Sequence, residues 1–178
     1  MEAAAQLLSV RARSVAEMRR RLSALGYPAG LVDEVIGRLE AMSYLDDHAF
    51  ATSWVASRDR SRPRGGSALR QELRLKGIDD ATIRAVLAER ETGGPDPAGD
   101  PERDGAPGER ADVAAAGQLL ERKAAALRRE PDVRKRRQKA YALLARNGFD
   151  PDTCRTAIAM PAWMAGDDLG DPETTGVE

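Results

Sequence analysis

Asp46 and Asp47 stand side by side and are followed at once by His48, the chain's single histidine. Paired carboxylates can share a proton and a histidine can relay one, so this triplet is the first place to look for acid–base chemistry. No partner for that chemistry is in view. One histidine also precludes a histidine-rich metal site or a nucleophilic triad assembled around a second one. Acids in this position satisfy free amides at a helix start and meet the positive end of its dipole, and that capping role is the expected one. His48 reads as solvated helix surface. Cys154, the lone cysteine, falls on a repeating apolar face and reads as core. The chain has no phosphate loop, metal cluster or nucleophile–base pair, so neither an enzyme nor a bound cofactor is expected.

The other chemistry on offer is cationic. Arg58, Arg60, Arg62 and Arg64 recur at every second position, and Arg134, Lys135, Arg136, Arg137 and Lys139 follow Arg128 and Arg129. Four consecutive bases wrap charge around a helix rather than confining it to one face. Such a run suits contact with a polyanion, although Arg134 could instead pair with Glu130 a turn away. Phe50 and Trp54 are four apart and are expected to pack on each other rather than stack on bases.

The elements that position these groups show a threefold register. Leu22 to Tyr27, Leu73 to Ile78 and Leu144 to Phe149 align on glycines 26, 77 and 148, each with a leucine four residues before it and a large apolar residue after it. Apolar residues return on one helical face: Val32, Val35 and Ile36; Ile83, Val86 and Leu87; Cys154, Ala157 and Ile158. Each unit reads as helix, tight turn, helix, the glycine ending the first helix in the left-handed conformation. Ser14 to Glu17 spells a capping box, Asp79 and Asp150 are N-cap residues, and Pro151 suits the first helical position. A further helix precedes each pair, around Ala3–Arg13, Asp46–Arg60 and Asp112–Arg129. No strand pattern occurs. The reading is all-α: three tandem three-helix modules, a repeat that forms an elongated curved solenoid.

Module boundaries fall at residues 1–42, 43–90 and 112–160. Between them, 91–111 reads as a disordered acidic Gly/Pro-rich linker, and 161–178 as a disordered acidic tail. Glu91–Asp112 carries seven acids and two arginines, and Pro161–Glu178 five acids and no base. Setting both aside leaves 26 bases against 17 acids, so the near-neutral chain hides a basic body. Modules of this size are marginal alone and are expected to support one another. One cysteine makes no internal disulfide, and no run of apolar residues reaches membrane-spanning or signal-peptide length. A cytoplasmic monomer without a membrane partner is expected.

The run Met42-Ser-Tyr44-Leu45-Asp46-Asp47-His-Ala-Phe50-Ala51, with the arginine-rich helix end, the Gly-Gly turn and Leu69 to Ile78, resembles the central module of the bacterial RecX regulatory proteins. Leu7 to Arg13, Ser14 to Leu22 and Gly26-Tyr27 are similar to the first module, and Lys139 to Phe149 to the third. Residues 3–90 and 113–160 are covered. The linker is long for the family, and Asn147 stands where arginine is common. The resemblance implies a modulator of the RecA recombinase, tied to homologous recombination, DNA repair and the SOS response. Such a protein docks in the groove of the RecA filament on single-stranded, and also double-stranded, DNA, and restrains its extension, ATP hydrolysis and strand exchange.

Under that reading the anchors are Arg58, Arg62, Arg64, Arg70 and Arg74 in the middle module and Arg134, Arg136, Arg137 and Lys139 in the last. The acidic linker would compete with DNA for them. The alternative is a free-standing DNA-binding or transcriptional protein, since three-helix units with a turn glycine resemble helix-turn-helix modules. Against it, none of the closing helices begins with the Asn, Gln and Arg mix that reads base edges.

Overall fold

The computed structural model describes residues 1–92 and 111–164. Among them are nine α-helices and no strand: α1 (Glu2–Val10), α2 (Val15–Ala24), α3 (Ala29–Ala41), α4 (Asp47–Ser61), α5 (Gly66–Lys76), α6 (Asp80–Glu91), α7 (Ala111–Leu127), α8 (Val133–Arg146) and α9 (Pro151–Ala159). Most of the expected linker and tail lies outside the described residues. At its edges the packed body reaches further than the sequence suggests. Helix α6 runs through Glu91, α7 begins at Ala111, and a 3-10 turn over Ala162–Met164 buries Met164 and half-buries Trp163. Two apolar residues set close together after Pro161 find room on the third unit, which short-range pattern alone does not reveal.

The helix signals act locally as expected. Asp79 accepts from the Ala81 and Thr82 amides and Asp150 from those of Asp152 and Thr153, with Pro151 next. Asp46 caps α4 through the Ala49 amide. The turn glycines Gly77 and Gly148 both have φ of +84°, the left-handed region that costs other residues energy. Ser14 accepts from the Glu17 amide, but the reciprocal half of the capping box is missing. The Glu17 carboxylate is drawn away by Arg11 and Lys76.

Each unit has its own apolar core. The periodic face residues of α3, α6 and α9 pack in it against Leu22, Leu73 and Leu144. Ile78 and Phe149 fold back into their cores, as a residue after a left-handed cap does, whereas Tyr27 stays exposed. Phe50 and Trp54 stack with ring centroids 6.1 Å apart.

The units are joined by one device used twice. At the first joint the Ser14 hydroxyl donates to the Lys76 carbonyl at 2.6 Å, and the Val15 amide donates to Asp47 at 2.9 Å. At the second, the Gly65 amide donates to the Asn147 carbonyl at 3.0 Å and the Gly66 amide to Asp112 at 2.9 Å. Ser14 and Gly65 are both the N-cap of their unit's second helix, and Lys76 and Asn147 both precede the turn glycine of the next unit. A helix start, with its free amides, is thus met by a turn carbonyl and by a carboxylate from the first helix of the following unit. The glycines serve this approach as well as the turn. A Cβ on Gly77 would strike Ala16, one on Gly148 would strike Ala68, and one on Gly65 would strike the Gly148 backbone.

Candidate polyanion interface

The nine expected anchors divide by what they already hold. Arg58 donates to Glu72 at 2.6 Å and lies 4.3 Å from the centre of the Trp54 ring, whose Nε1 donates to the same carboxylate. Arg64 donates to Asn147 at 2.9 Å, across the second joint. Arg74 pairs with Asp80 at 2.7 Å, and that hydrogen bond raises the pKa of the one and lowers that of the other. Arg136 binds the carbonyls of Glu130 at 3.0 Å and Trp163 at 2.7 Å, and Arg137 that of Met164 at 3.2 Å. These two arginines fasten the C-terminal 3-10 turn. Glu130 is taken by Lys139, not by Arg134.

Three anchors make no close side-chain pair, although Arg134 helps to lower the pKa of Asp132. The side chains of Arg62, Arg70 and Arg134 make no hydrogen bond or ion pair among the described residues. Arg62 and Arg134 are exposed, and Arg70 is half-buried.

Sequence reading overlooked three further arginines that the fold brings to this region. Arg122 of α7 donates to the carbonyls of Ser61 at 2.6 Å and Arg60 at 2.7 Å. It therefore caps the negative end of α4 and adds a third unit's charge beside Arg60 and Arg62. Arg84 joins Arg70 in lining a cleft of about 410 Å³ between the second and third units, whose lining also includes Gly66, Gly148 and the acids Glu91, Asp112 and Asp150. Arg90, with little of its side chain exposed, also lines that cleft. It grips Asp59 through two bonds of 2.9 Å and also reaches Asp112, and these carboxylates outweigh the effect of burial and keep it protonated. No short-range signal marks Arg90 or Arg122, because their partners lie 22 to 62 residues away along the chain.

A second network ties the first joint. Lys76 donates to Glu17 at 2.8 Å and lies 4.6 Å from the centre of the Trp54 ring. Burial pushes the Glu17 carboxyl up, but hydrogen bonds from Arg11 and Lys76 outweigh it and bring its pKa down to about 2. A depressed carboxylate contributes stability that is fully present above its unfolded value, 4.5, and is lost as pH falls toward 2. That loss is expected to be on the order of 3 kcal/mol. Urea midpoints measured from pH 6 down to 2.5 would show it, and Glu17→Gln should flatten the slope in that window. An equally steep slope in the variant would assign the acid sensitivity elsewhere.

The groups that suggested acid–base chemistry are accounted for structurally. Asp46 caps its own helix and Asp47 holds the Val15 amide of the preceding unit; burial raises the Asp47 pKa. His48 is exposed and lies 3.1 Å from Glu89. Cys154 is buried, and burial raises its pKa, which leaves the thiol protonated and inert. Among the described residues no group of three or more His, Cys, Asp or Glu is placed to hold a metal ion, and no helix is long and apolar enough to cross a membrane.

Comparison with known proteins agrees with this architecture unit by unit. Models of the first, second and third three-helix domains of RecX match residues 1–39, 46–87 and 111–158. A regulatory protein RecX of Mycolicibacterium smegmatis is 43% identical over 84 residues, a stretch that spans 47% of this chain and 45% of that protein. The chain spans far more of a regulatory protein RecX of Pelodictyon phaeoclathratiforme, at 30% identity over 94% of this chain and 92% of the other. The crystal structure of RecX from Lactobacillus salivarius superposes with a TM-score of 0.71 over 89% of this chain and 91% of that one; at 22% identity it speaks for the fold. With its three helical units matched in order and a relative aligned across nearly its whole length, the chain belongs to the RecX family of regulatory proteins.

Proposed function

We propose that this chain binds the RecA recombinase filament on DNA and restrains its extension, ATP hydrolysis and strand exchange, with no catalysis of its own. The observation that carries this reading is the uncommitted cationic set, Arg62, Arg70 and Arg134, joined by Arg60 and Arg84, on a stack of units fixed by repeated joints in a family of regulators. Charges already spent on neighbouring carboxylates add little to binding a phosphate chain, whereas free guanidinium groups release counterions from it. A rigid stack can hold several such groups against a periodic polymer at once, so weak contacts add. The bound protein then obstructs the arrival and rearrangement of recombinase subunits. Monomeric action in the cytoplasm goes with this reading.

Titrating the protein into preassembled RecA filaments on single-stranded DNA while following ATP hydrolysis tests it. Inhibition is expected at or below one protein per recombinase subunit, before naked DNA of the same length is saturated in a parallel titration. Inhibition only once the DNA itself is saturated would favour the free-standing DNA-binding protein.

A further inference from the structure

We infer that the exposed turn of the first unit is a docking face for the start of an α-helix on a partner protein, repeating outward the joint that the chain makes twice within itself. The second and third units each push a turn glycine and the carbonyl before it against the first residues of the preceding unit's second helix. The first unit carries the same receiving parts, and among the described residues nothing covers them. Gly26 has φ of +87°, and a Cβ built on it would meet nothing within 4 Å. Glu2 is exposed in the first turn of α1, where Asp47 and Asp112 stand in the first turns of α4 and α7.

The side chains around this turn depart from those of its repeats in the direction that a covered face requires. Leu25 and Leu31 are 61% and 44% exposed, and Tyr27 is 42% exposed. The residues in register with Leu25 are Lys76 and Asn147, and those with Leu31 are Thr82 and Thr153. Beside them a shallow apolar recess is lined by Met1, Ala4, Leu22, Tyr27, Leu31 and Val35. The unit whose turn no other unit covers is thus the one that surrounds it with large apolar groups.

The occupant is defined by what the internal joints accept. It is a helix start with serine or glycine at the N-cap and alanine within the first turn, since Ala16 and Ala68 are what Gly77 and Gly148 touch. The second helix of the third unit does not fit this description. Helix α8 begins fifteen residues before its turn glycine, where α2 and α5 begin eleven before theirs. Arg136 therefore occupies the position of Ser14 and Gly65, and its guanidinium is tied to the C-terminal turn. Head-to-tail growth from copy to copy is blocked, and the first unit faces a different protein.

This inference rests on the filament reading for its first probe. In the full chain, Leu25→Asp with Leu31→Asp alters two exposed positions, and circular dichroism would check that the helices persist. Binding to RecA filaments on single-stranded DNA is expected to weaken at least tenfold, with affinity for the naked DNA unchanged. Equal filament binding by wild type and variant overturns the inference. So does self-association of the wild type that the variant abolishes, because the occupant is then a second copy. Should the wild type itself fail to bind filaments, the filament reading falls and a second probe decides: a hydrocarbon-stapled peptide copying residues 13–24, the start of α2. Saturable amide shifts at Gly26, Tyr27 and Leu31 sustain the docking face, and their absence removes it.

Discussion

Replacing Arg90 by alanine is expected to destabilise the protein by about 3 to 5 kcal/mol. Arg90 is 7% exposed, bridges Asp59 of α4 and Asp112 of α7, and sits 3.5 Å from the Arg64 carbonyl. Without it Asp112, 11% exposed, and the more open Asp59 lose the cation they share. Asp112 also holds the Gly66 amide, so its displacement opens the joint itself. Urea unfolding should show a lower midpoint, and adding Asp59→Asn to Arg90→Ala should recover part of the loss by removing one uncompensated charge. An unchanged midpoint in Arg90→Ala would mean that the other contacts of the joint, among them Gly65 with Asn147 and Arg64 with Asn147, secure the third unit without it. The clasp also explains how the second and third units keep one register although 18 residues separate Thr92 from Ala111. Loop closure depends only weakly on length, so contacts at the joint fix the geometry.

Reversing Arg62, Arg70 and Arg134 together to glutamate is expected to lower affinity for the nucleoprotein filament by roughly two orders of magnitude at 0.1 M salt and to reduce the salt slope by about 2 to 3. Circular dichroism and thermal midpoint should stay near those of the wild type, because none of the three side chains makes a hydrogen bond or ion pair among the described residues. Arg136 and Arg137 define the contrast. Reversing them removes hydrogen bonds to the Trp163 and Met164 carbonyls, so stability is expected to fall before any effect on binding can be read. An unaltered salt slope in the triple variant would take phosphate contact at these positions out of the mechanism.

The helical register, the left-handed glycine turns, the N-caps at Asp79 and Asp150 and the three apolar faces were legible in the sequence. They depend on neighbours within a turn or two, and the residues that satisfy them lie in the same window. The basic character of the body was legible for the same reason, since charge is a property of composition. What tertiary structure decided was the use of each group. Glu17 spells half of a capping box but answers to Lys76 of another unit; Asp47 reads as a cap but serves Val15; Gly65 reads as a turn residue but makes room for the Gly148 backbone. Six of the nine cationic anchors proved to have partners, and Arg64, Arg136 and Arg137 each have one that is 27 to 83 residues away along the chain. Whether a guanidinium is spent or free depends on which carboxylate or carbonyl the fold carries to it, and no local spacing encodes that.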